Sequence, residues 1–192
     1  MYIRFFEGSS VSAWKQKRRV MRRYDLTARL YDMRYAEEQE AMYRMALENL
    51  KVVGTILDVG CGTGLLFTHV AIKAETVVGV DVSKQLLFQA RKRAKKLCGV
   101  HLVQADADHL PFKKACFTVV FAFTVLQNMP KPSETLMEIK RTAKHDAFIV
   151  ITGLKKTFSL EAFGELLRQA GLRVVSLKDD DLKCYVAVGL QS

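Results

Sequence analysis

Thr55-Ile56-Leu57-Asp58-Val59-Gly60-Cys61-Gly62-Thr63-Gly64-Leu65 decides how this chain folds. A β-branched, apolar run gives way to a loop with glycine at every second position, and an amphipathic pattern through Leu66, Phe67, Val70 and Ala71 follows at once. The order is strand, tight turn, helix. Glycines reach positive φ without a Cβ clash and let a ligand approach the main chain, beside the N–H groups of the helix start. A dinucleotide fingerprint needs G-x-G-x-x-G, but here the third glycine comes one residue early and Leu65 stands in its place. Asp58, just upstream, repels a pyrophosphate and suits a cationic ligand.

Outward from this loop, apolar runs alternate with amphipathic ones. Thr76 to Asp81 reads as a second buried strand ending in an acid about twenty residues beyond the loop, where a carboxylate can accept both hydroxyls of a ribose. Ser83 is placed to cap the next helix, with Leu86, Leu87, Ala90, Ala94 and Leu97 inward and Arg91 to Lys96 on a basic outer face. Val100 to Gln104 is a third strand, and Phe117 to Phe123 is apolar nearly throughout, as a central parallel strand covered on both faces should be. A helix from Ser133, a strand over Ala147 to Gly153, a helix capped by Ser159 and ended by Gly171, and two strands at Leu172 to Val175 and Cys184 to Val188 complete the chain. This alternation predicts an α/β three-layer sandwich around a mostly parallel sheet.

The 192 residues suffice for one α/β domain with a full core, and 49% are hydrophobic. Runs such as Phe117 to Leu126 are too short for a membrane span, and the start, Met1 to Phe6, does not resemble a signal peptide. A cytoplasmic protein away from the membrane is therefore expected. Cys61, Cys98, Cys116 and Cys184 are far apart, with no histidine at ligand spacing, so reduced thiols and no metal site are expected. His69, His101, His109 and His145 are scattered and read as structural.

Net charge is +10, and residues 1–35 hold nine Lys/Arg against three acids, six of those ten net charges. Met1 to Ser12 reads as a loose lead. Trp14 to Arg23, with Lys15, Lys17, Arg18, Arg19, Arg22 and Arg23, reads either as a solvated helix or as a phosphate-contacting arm. Residues 1–23 are thus expected to be an arm and 24–192 the domain. The Leu26, Leu30 and Met33 spacing suggests a short helix, and Glu37 to Leu50 a second one.

The D-x-G-x-G-x-G pattern from Asp58 to Gly64 resembles the first motif of the class I, Rossmann-like S-adenosylmethionine (SAM) dependent methyltransferases, whose ligand carries an ammonium and a sulfonium. Tyr24 to Asp32 resembles the Y-D-x-x-A-x-x-Y-D segment that covers the cofactor pocket in many small members. Ala105 to Phe112 resembles a third signature, in which an acid accepts from the adenine amino group; Asp106 holds that place, with Asp108 the alternative. The resemblance runs from about Tyr24 to the C-terminus and implies a seven-stranded sheet of order 3-2-1-4-5-7-6, its last strand antiparallel. It implies SAM as cofactor and S-adenosylhomocysteine as product. The implied binding residues are Asp58, Gly60, Cys61, Gly62 and Gly64 in the loop, Asp81 and Val82 after strand two, Asp106 and Ala107 after strand three, and Phe123.

Tyr24, Tyr31, Thr124 and Asn128 are the acceptor-pocket candidates. Phe123-Thr124-Val125-Leu126 stands where an N-P-P-Y-type motif would mark transfer to exocyclic adenine or glutamine amides, so that chemistry is disfavoured. No catalytic base is assigned, because a ring nitrogen offers a ready lone pair. The basic segment favours an RNA base, of tRNA or rRNA, as acceptor. A looser resemblance, to methyltransferases that act with a small zinc-binding activator, places a partner on the edge strand Val100 to Val103. A small-molecule methyltransferase of the quinone or natural-product kind and a SAM-binding RNA protein without catalysis are the alternatives.

Overall fold

The computed structural model describes residues 11–191. The lead expected over Met1 to Ser12 falls largely outside them. Helix α1 (Val11–Thr27) passes through a 3-10 turn (Ala28–Leu30) into α2 (Tyr31–Leu47). Then come β1 (Thr55–Val59), α3 (Phe67–Val70), β2 (Thr76–Asp81), α4 (Lys84–Ala94), β3 (Val100–Gln104) and β4 (Phe117–Ala122). A second 3-10 turn (Leu126–Asn128) leads to α5 (Pro132–Thr142), β5 (Ala143–Leu154), α6 (Leu160–Gln169), β6 (Leu172–Lys178) and β7 (Cys184–Gln191).

The sheet order is β3-β2-β1-β4-β5-β7-β6, as the resemblance implied. β3, β2, β1, β4 and β5 pair in parallel, and β7 runs antiparallel to both β5 and β6. Alternation along the strands explains the layers. Ile56, Val119, Phe121 and Val150 pack with Met42, Tyr43, Phe67 and Ala90 on the face covered by α2, α3 and α4. Leu57, Val120, Ile149 and Ile151 pack with Leu136, Ile139, Phe163 and Leu167 on the face covered by α5 and α6. With both faces buried, every strand position favours an apolar residue, which is why β4 shows no polar alternation.

The N-terminal third departs from expectation in three ways. Leu26 and Met33 are 87% and 85% exposed and Leu30 45%, so their helical spacing marks the outer side; Ala28 and Tyr31 are the buried residues there. The boundary expected between residues 23 and 24 falls inside α1, which runs unbroken from Val11 to Thr27. Lys17, read as part of a solvent-facing arm, is only 6% exposed. Its ammonium lies 2.6 Å from Asp106 Oδ2 and 2.5 Å from Asp108 Oδ2, so α1 is packed on the domain.

Elsewhere the differences are of extent. The helix after the glycine loop is a single turn, Phe67–Val70. β5 starts four residues earlier than Ala147, with Asp146 at φ +60° and a register irregularity against β4 where the strand bends.

Candidate functional site

β1 delivers Asp58 and the glycine loop to the C-terminal edge of the sheet. Gly60, Gly62 and Gly64 all take positive φ, at 69°, 56° and 77°. At Gly60 a Cβ would stand 2.6 Å from Val125 Cγ2, and at Gly64 one would enter the Phe67 ring, so the loop closes tightly only without side chains. The Cys61 N–H donates to Val80 O at 2.9 Å, which ties the loop to β2.

Asp81 ends β2 facing this loop. Its Oδ2 accepts from the Gly62 N–H at 2.9 Å and its Oδ1 from the Ser83 N–H at 2.8 Å, so two backbone donors fix the carboxylate plane. Burial pushes its pKa up to about 6, against the pull of these N–H groups. Asp58 is 3% exposed, and its Oδ2 has no hydrogen-bond partner among the described residues. Burial, and then the nearby Asp81 charge, raise its pKa well above the usual carboxylate range. An unpartnered buried carboxylate oxygen costs on the order of 1–3 kcal/mol or more, which a donor or cation would remove.

The pocket above these acids is roofed by α1. Lys17, Val20 and Tyr24 from the helix face Gly60, Gly62, Asp81 and Val82 on one side, and Asp106, Ala107, Phe123, Thr124 and Asn128 on the other. The enclosed space is about 90 Å³. Phe123 is held edge-on to Tyr43 (4.8 Å between centroids) and stacked on Phe121 (5.9 Å). Tyr31 stands beneath, its hydroxyl accepting from Gln39 Nε2 at 2.8 Å, with Tyr43 donating to Gln39 Oε1 at 2.7 Å. Burial drives the Tyr31 pKa up, so it stays a neutral phenol.

At the far end Thr124 sits at φ +56°, a left-handed conformation unusual for a β-branched residue. Its N–H donates to Thr152 Oγ1 at 2.7 Å, and its carbonyl accepts from Asn128 Nδ2 at 2.9 Å. The Asn128 amide also donates to the Tyr24 hydroxyl at 3.3 Å and accepts from Arg23 Nη2 at 3.1 Å.

Three ties hold the roof, and a fourth lies just beyond it on α2. Lys17 reaches Asp106 and Asp108, and Arg23 reaches Asn128. Asp25 accepts from the Ser83 hydroxyl at 2.6 Å and the Gln85 N–H at 3.2 Å, at the start of α4. Beyond α1, Asp32 accepts from Thr63 Oγ1 at 2.5 Å and from Arg93 Nη2 at 2.7 Å. Arg93, read from sequence as part of a basic outer face, is therefore committed to the glycine loop, whose Thr63 carbonyl it also binds at 2.8 Å.

Eleven of the residues expected at the site thus surround one pocket: Tyr24, Tyr31, Gly60, Gly62, Asp81, Val82, Asp106, Ala107, Phe123, Thr124 and Asn128. Asp58, Cys61 and Gly64 do not line it. Asp58 is buried beneath the loop, Cys61 Sγ points at β2, where a Cβ on Gly79 would come within 3.0 Å, and Gly64 rests on Phe67. Lys17, Val20 and Leu86 line the pocket without having been expected there. A usable signal was present, since Lys17, Val20 and Tyr24 are spaced i, i+3, i+7 on one helix face.

A glycine loop, an acid ending each of the first two strands and a seven-stranded sheet with antiparallel β7 define the fold class of SAM-dependent methyltransferases. Solved structures agree. The chain superposes on a SAM-dependent methyltransferase from Aquifex aeolicus with TM-score 0.70 at 19% identity, covering 82% of this chain and 98% of that one. It superposes on the putative methyltransferase in a complex with the Trm112 activator from Haloferax volcanii with TM-score 0.73 at 18% identity, covering 88% and 97%. Residues 57–151 match the family described as "Methyltransferase domain". The family implies SAM as cofactor. Among curated relatives, a malonyl-[acyl-carrier protein] O-methyltransferase from Marinomonas sp. is 29% identical over 150 residues, 76% of this chain and 55% of that protein. The chain spans about half the length of the curated relatives it matches.

The residues present fit that cofactor chemically. Asp58 lacks a cationic partner, and Asp81 keeps lone pairs free beside its two N–H donors. Among the described residues no helix is long and apolar enough to cross a membrane.

Proposed function

We propose that this protein transfers a methyl group from SAM to a base of RNA. The observation that carries the reading is a pocket with an acid in its wall and a cationic rim: Asp81 lines it, with Asp58 buried behind the glycine loop, and Lys15, Arg19 and Arg23 surround the exit past Asn128.

When bound, the cofactor supplies a methyl group already activated on a sulfonium. Asp81, oriented by Gly62 and Ser83, accepts the ribose hydroxyls. Asp58 offers its unpartnered oxygen to the ammonium, and the glycines let the ligand lie against the main chain. Val82, Asp106 and Ala107 flank the adenine. Thr124, Asn128 and Tyr24 hold the acceptor in line and Phe123 excludes water. Positioning of this kind contributes up to about 7–11 kcal/mol. No histidine lines the pocket among the described residues, and none is needed for a ring nitrogen with a free lone pair. The enclosed 90 Å³ is below the roughly 300–1,000 Å³ of ordinary ligand pockets. α1 therefore lifts to admit the cofactor and settles again on its three ties.

A small zinc-binding activator on the outer edge of β3 belongs to the same reading. β3 is the outermost strand on its side of the sheet, and the Haloferax neighbour is in complex with the Trm112 methyltransferase activator. A second reading, a small acyl or quinone-like acceptor, is favoured by the kinship to the malonyl-[acyl-carrier protein] O-methyltransferase.

Transfer of tritium from labelled SAM into purified RNA tests the acceptor, with low-molecular-weight extract as the second arm. Label in RNA is expected; label confined to the extract selects the second reading. Asp81→Ala should weaken calorimetric SAM binding at least about tenfold, the value of a lost charge-assisted hydrogen bond. Unchanged affinity sinks the cofactor assignment.

A further inference from the structure

The outer side of α1 carries a helical run of cations. Some cations elsewhere meet acids: Arg93 with Asp32, Arg141 with Glu138, Lys155 with Asp179, Lys178 with Glu48 and Lys183 with Glu38. Lys15, Arg18, Arg19 and Arg22 are exposed at i, i+3, i+4 and i+7, and no acid pairs with them among the described residues. Like charges three and four apart on a helix repel. Pairs 15–18, 15–19, 18–22 and 19–22 all carry that cost, and 19–23 adds a fifth. An anion laid along the helix removes it.

A groove of about 430 Å³ is lined by Lys15, Arg18, Arg19 and Arg22. A neighbouring groove of about 600 Å³ is lined by Lys15, Gln16, Arg19 and Arg23 of α1 together with Gln127 and Asn128 after β4. Lys15 and Arg19 line both, so the two form one track spanning about 10 Å of helix. Val20 and Asn128 also line the central pocket, so the track opens onto the acceptor end of the site. Among the described residues none of the lining ones is acidic, and Gln16, Gln127 and Asn128 bring neutral amide donors. Lys17 lies on the opposite side of the helix, bound to Asp106 and Asp108, and takes no part.

We propose that this track is the phosphate subsite of the methyl acceptor: phosphate groups sit on Lys15, Arg19 and Gln127 while the reacting atom passes Asn128 into the pocket. The proposal rests on the methyltransferase reading and adds where the acceptor is gripped. Arginine forks take two phosphate oxygens at once, whereas a lysine acts as a point charge, which suits a chain of phosphates crossing the track. A phosphodiester strand and a lone phosphate on a small acceptor offer the same chemistry. The two-groove length of the track favours the strand.

The test uses the full-length protein, a single-stranded RNA oligonucleotide, adenosine 5'-monophosphate and uncharged adenosine, with binding followed across salt concentration. The double variant Lys15→Gln/Arg19→Gln changes only exposed side chains, and SAM calorimetry and a thermal melt serve as controls for cofactor site and fold. Removing one cation that neutralises a phosphate of a single strand lowers the slope of log affinity against log salt by about 0.7. The double variant should reduce the slope by about 1.4 and raise the KM for RNA with kcat nearly unchanged. Lys15→Arg/Arg19→Lys should keep the slope. If only the monophosphate binds the wild type better than adenosine does, and loses that advantage in the double variant, the subsite stands with a small acceptor as its source and the RNA reading falls. If neither ligand's binding differs between wild type and double variant, or neither binds, the subsite is overturned. Failure of the wild type to bind SAM would instead strike the methyltransferase reading.

Discussion

Replacing Lys17 by methionine isolates what holds α1 over the pocket. The ammonium sits between Asp106 and Asp108 at 2.6 and 2.5 Å, and the two carboxylate side chains are only 18% and 12% exposed. Methionine keeps the apolar stem but removes the charge, so the two acids face each other without compensation. Breaking a buried pair by removing one partner costs about 3–5 kcal/mol. The molecule can avoid that cost by letting α1 swing out, because the acids regain water when the helix leaves. The remaining ties, Arg23 to Asn128 and Asp25 to Ser83 and Gln85, resist the swing but are in part solvent-exposed. Taking the lower figure, the opening equilibrium shifts by about 3 kcal/mol, roughly 150-fold. Hydrogen exchange read peptide by peptide should show α1 losing protection by that order while α5 and β5 keep theirs, and SAM should dissociate faster. Unaltered exchange in α1 would refute the idea that this ion pair is what docks the helix.

Three other outcomes are expected. Because burial holds the Asp58 pKa well above the usual carboxylate range, a cationic ligand that pulls it back down must release a proton; the calorimetric enthalpy of SAM binding should then differ between buffers of different ionisation enthalpy, and equal enthalpies would rule out Asp58 as the ammonium's partner. Asp81 binds its proton more tightly when folded than the 3.8 of an ordinary aspartate, so the stability it lends is fullest below that pH and declines as pH rises to about 6, on the order of 3 kcal/mol in total. Asp81→Asn should therefore gain stability over the wild type across that window, and a constant difference would contradict the burial argument. Gly60→Ala places a Cβ 2.6 Å from Val125 at a φ of +69° and should cost at least about 1–2 kcal/mol, seen as a melting point lower by about 2–8 °C.

The sheet was legible because strands buried on both faces leave continuous apolar runs, and Phe117 to Phe123 could be little else. Asp81 was legible from its distance to the glycine loop. The order of the strands came from the family resemblance, since parallel strands joined by helices leave neighbour choice open to anything but topology. Lys17 was not legible from its charge, although its i, i+3, i+7 spacing with Val20 and Tyr24 put the three on one face. In a run with five other basic residues, and on a helix whose apolar face is weak, its charge pattern is that of a solvated side chain. What buries it are two aspartates about ninety residues away. Leu26, Leu30 and Met33 misled for the converse reason: helical spacing says that residues share a side, not which side meets the core. The left-handed backbone at Thr124 had no signal at all, since threonine is among the residues least suited to it.

α1 presents two surfaces that answer to different demands. Lys17, Val20 and Tyr24 must match a fixed set of loops, so change there is constrained by the geometry of the domain. Lys15, Arg18, Arg19 and Arg22 are exposed, and none is ion-paired among the described residues. A lineage, or an engineer, can therefore rewrite the outer half of this helix, and with it the proposed phosphate track, while the inner half keeps its fit to the domain.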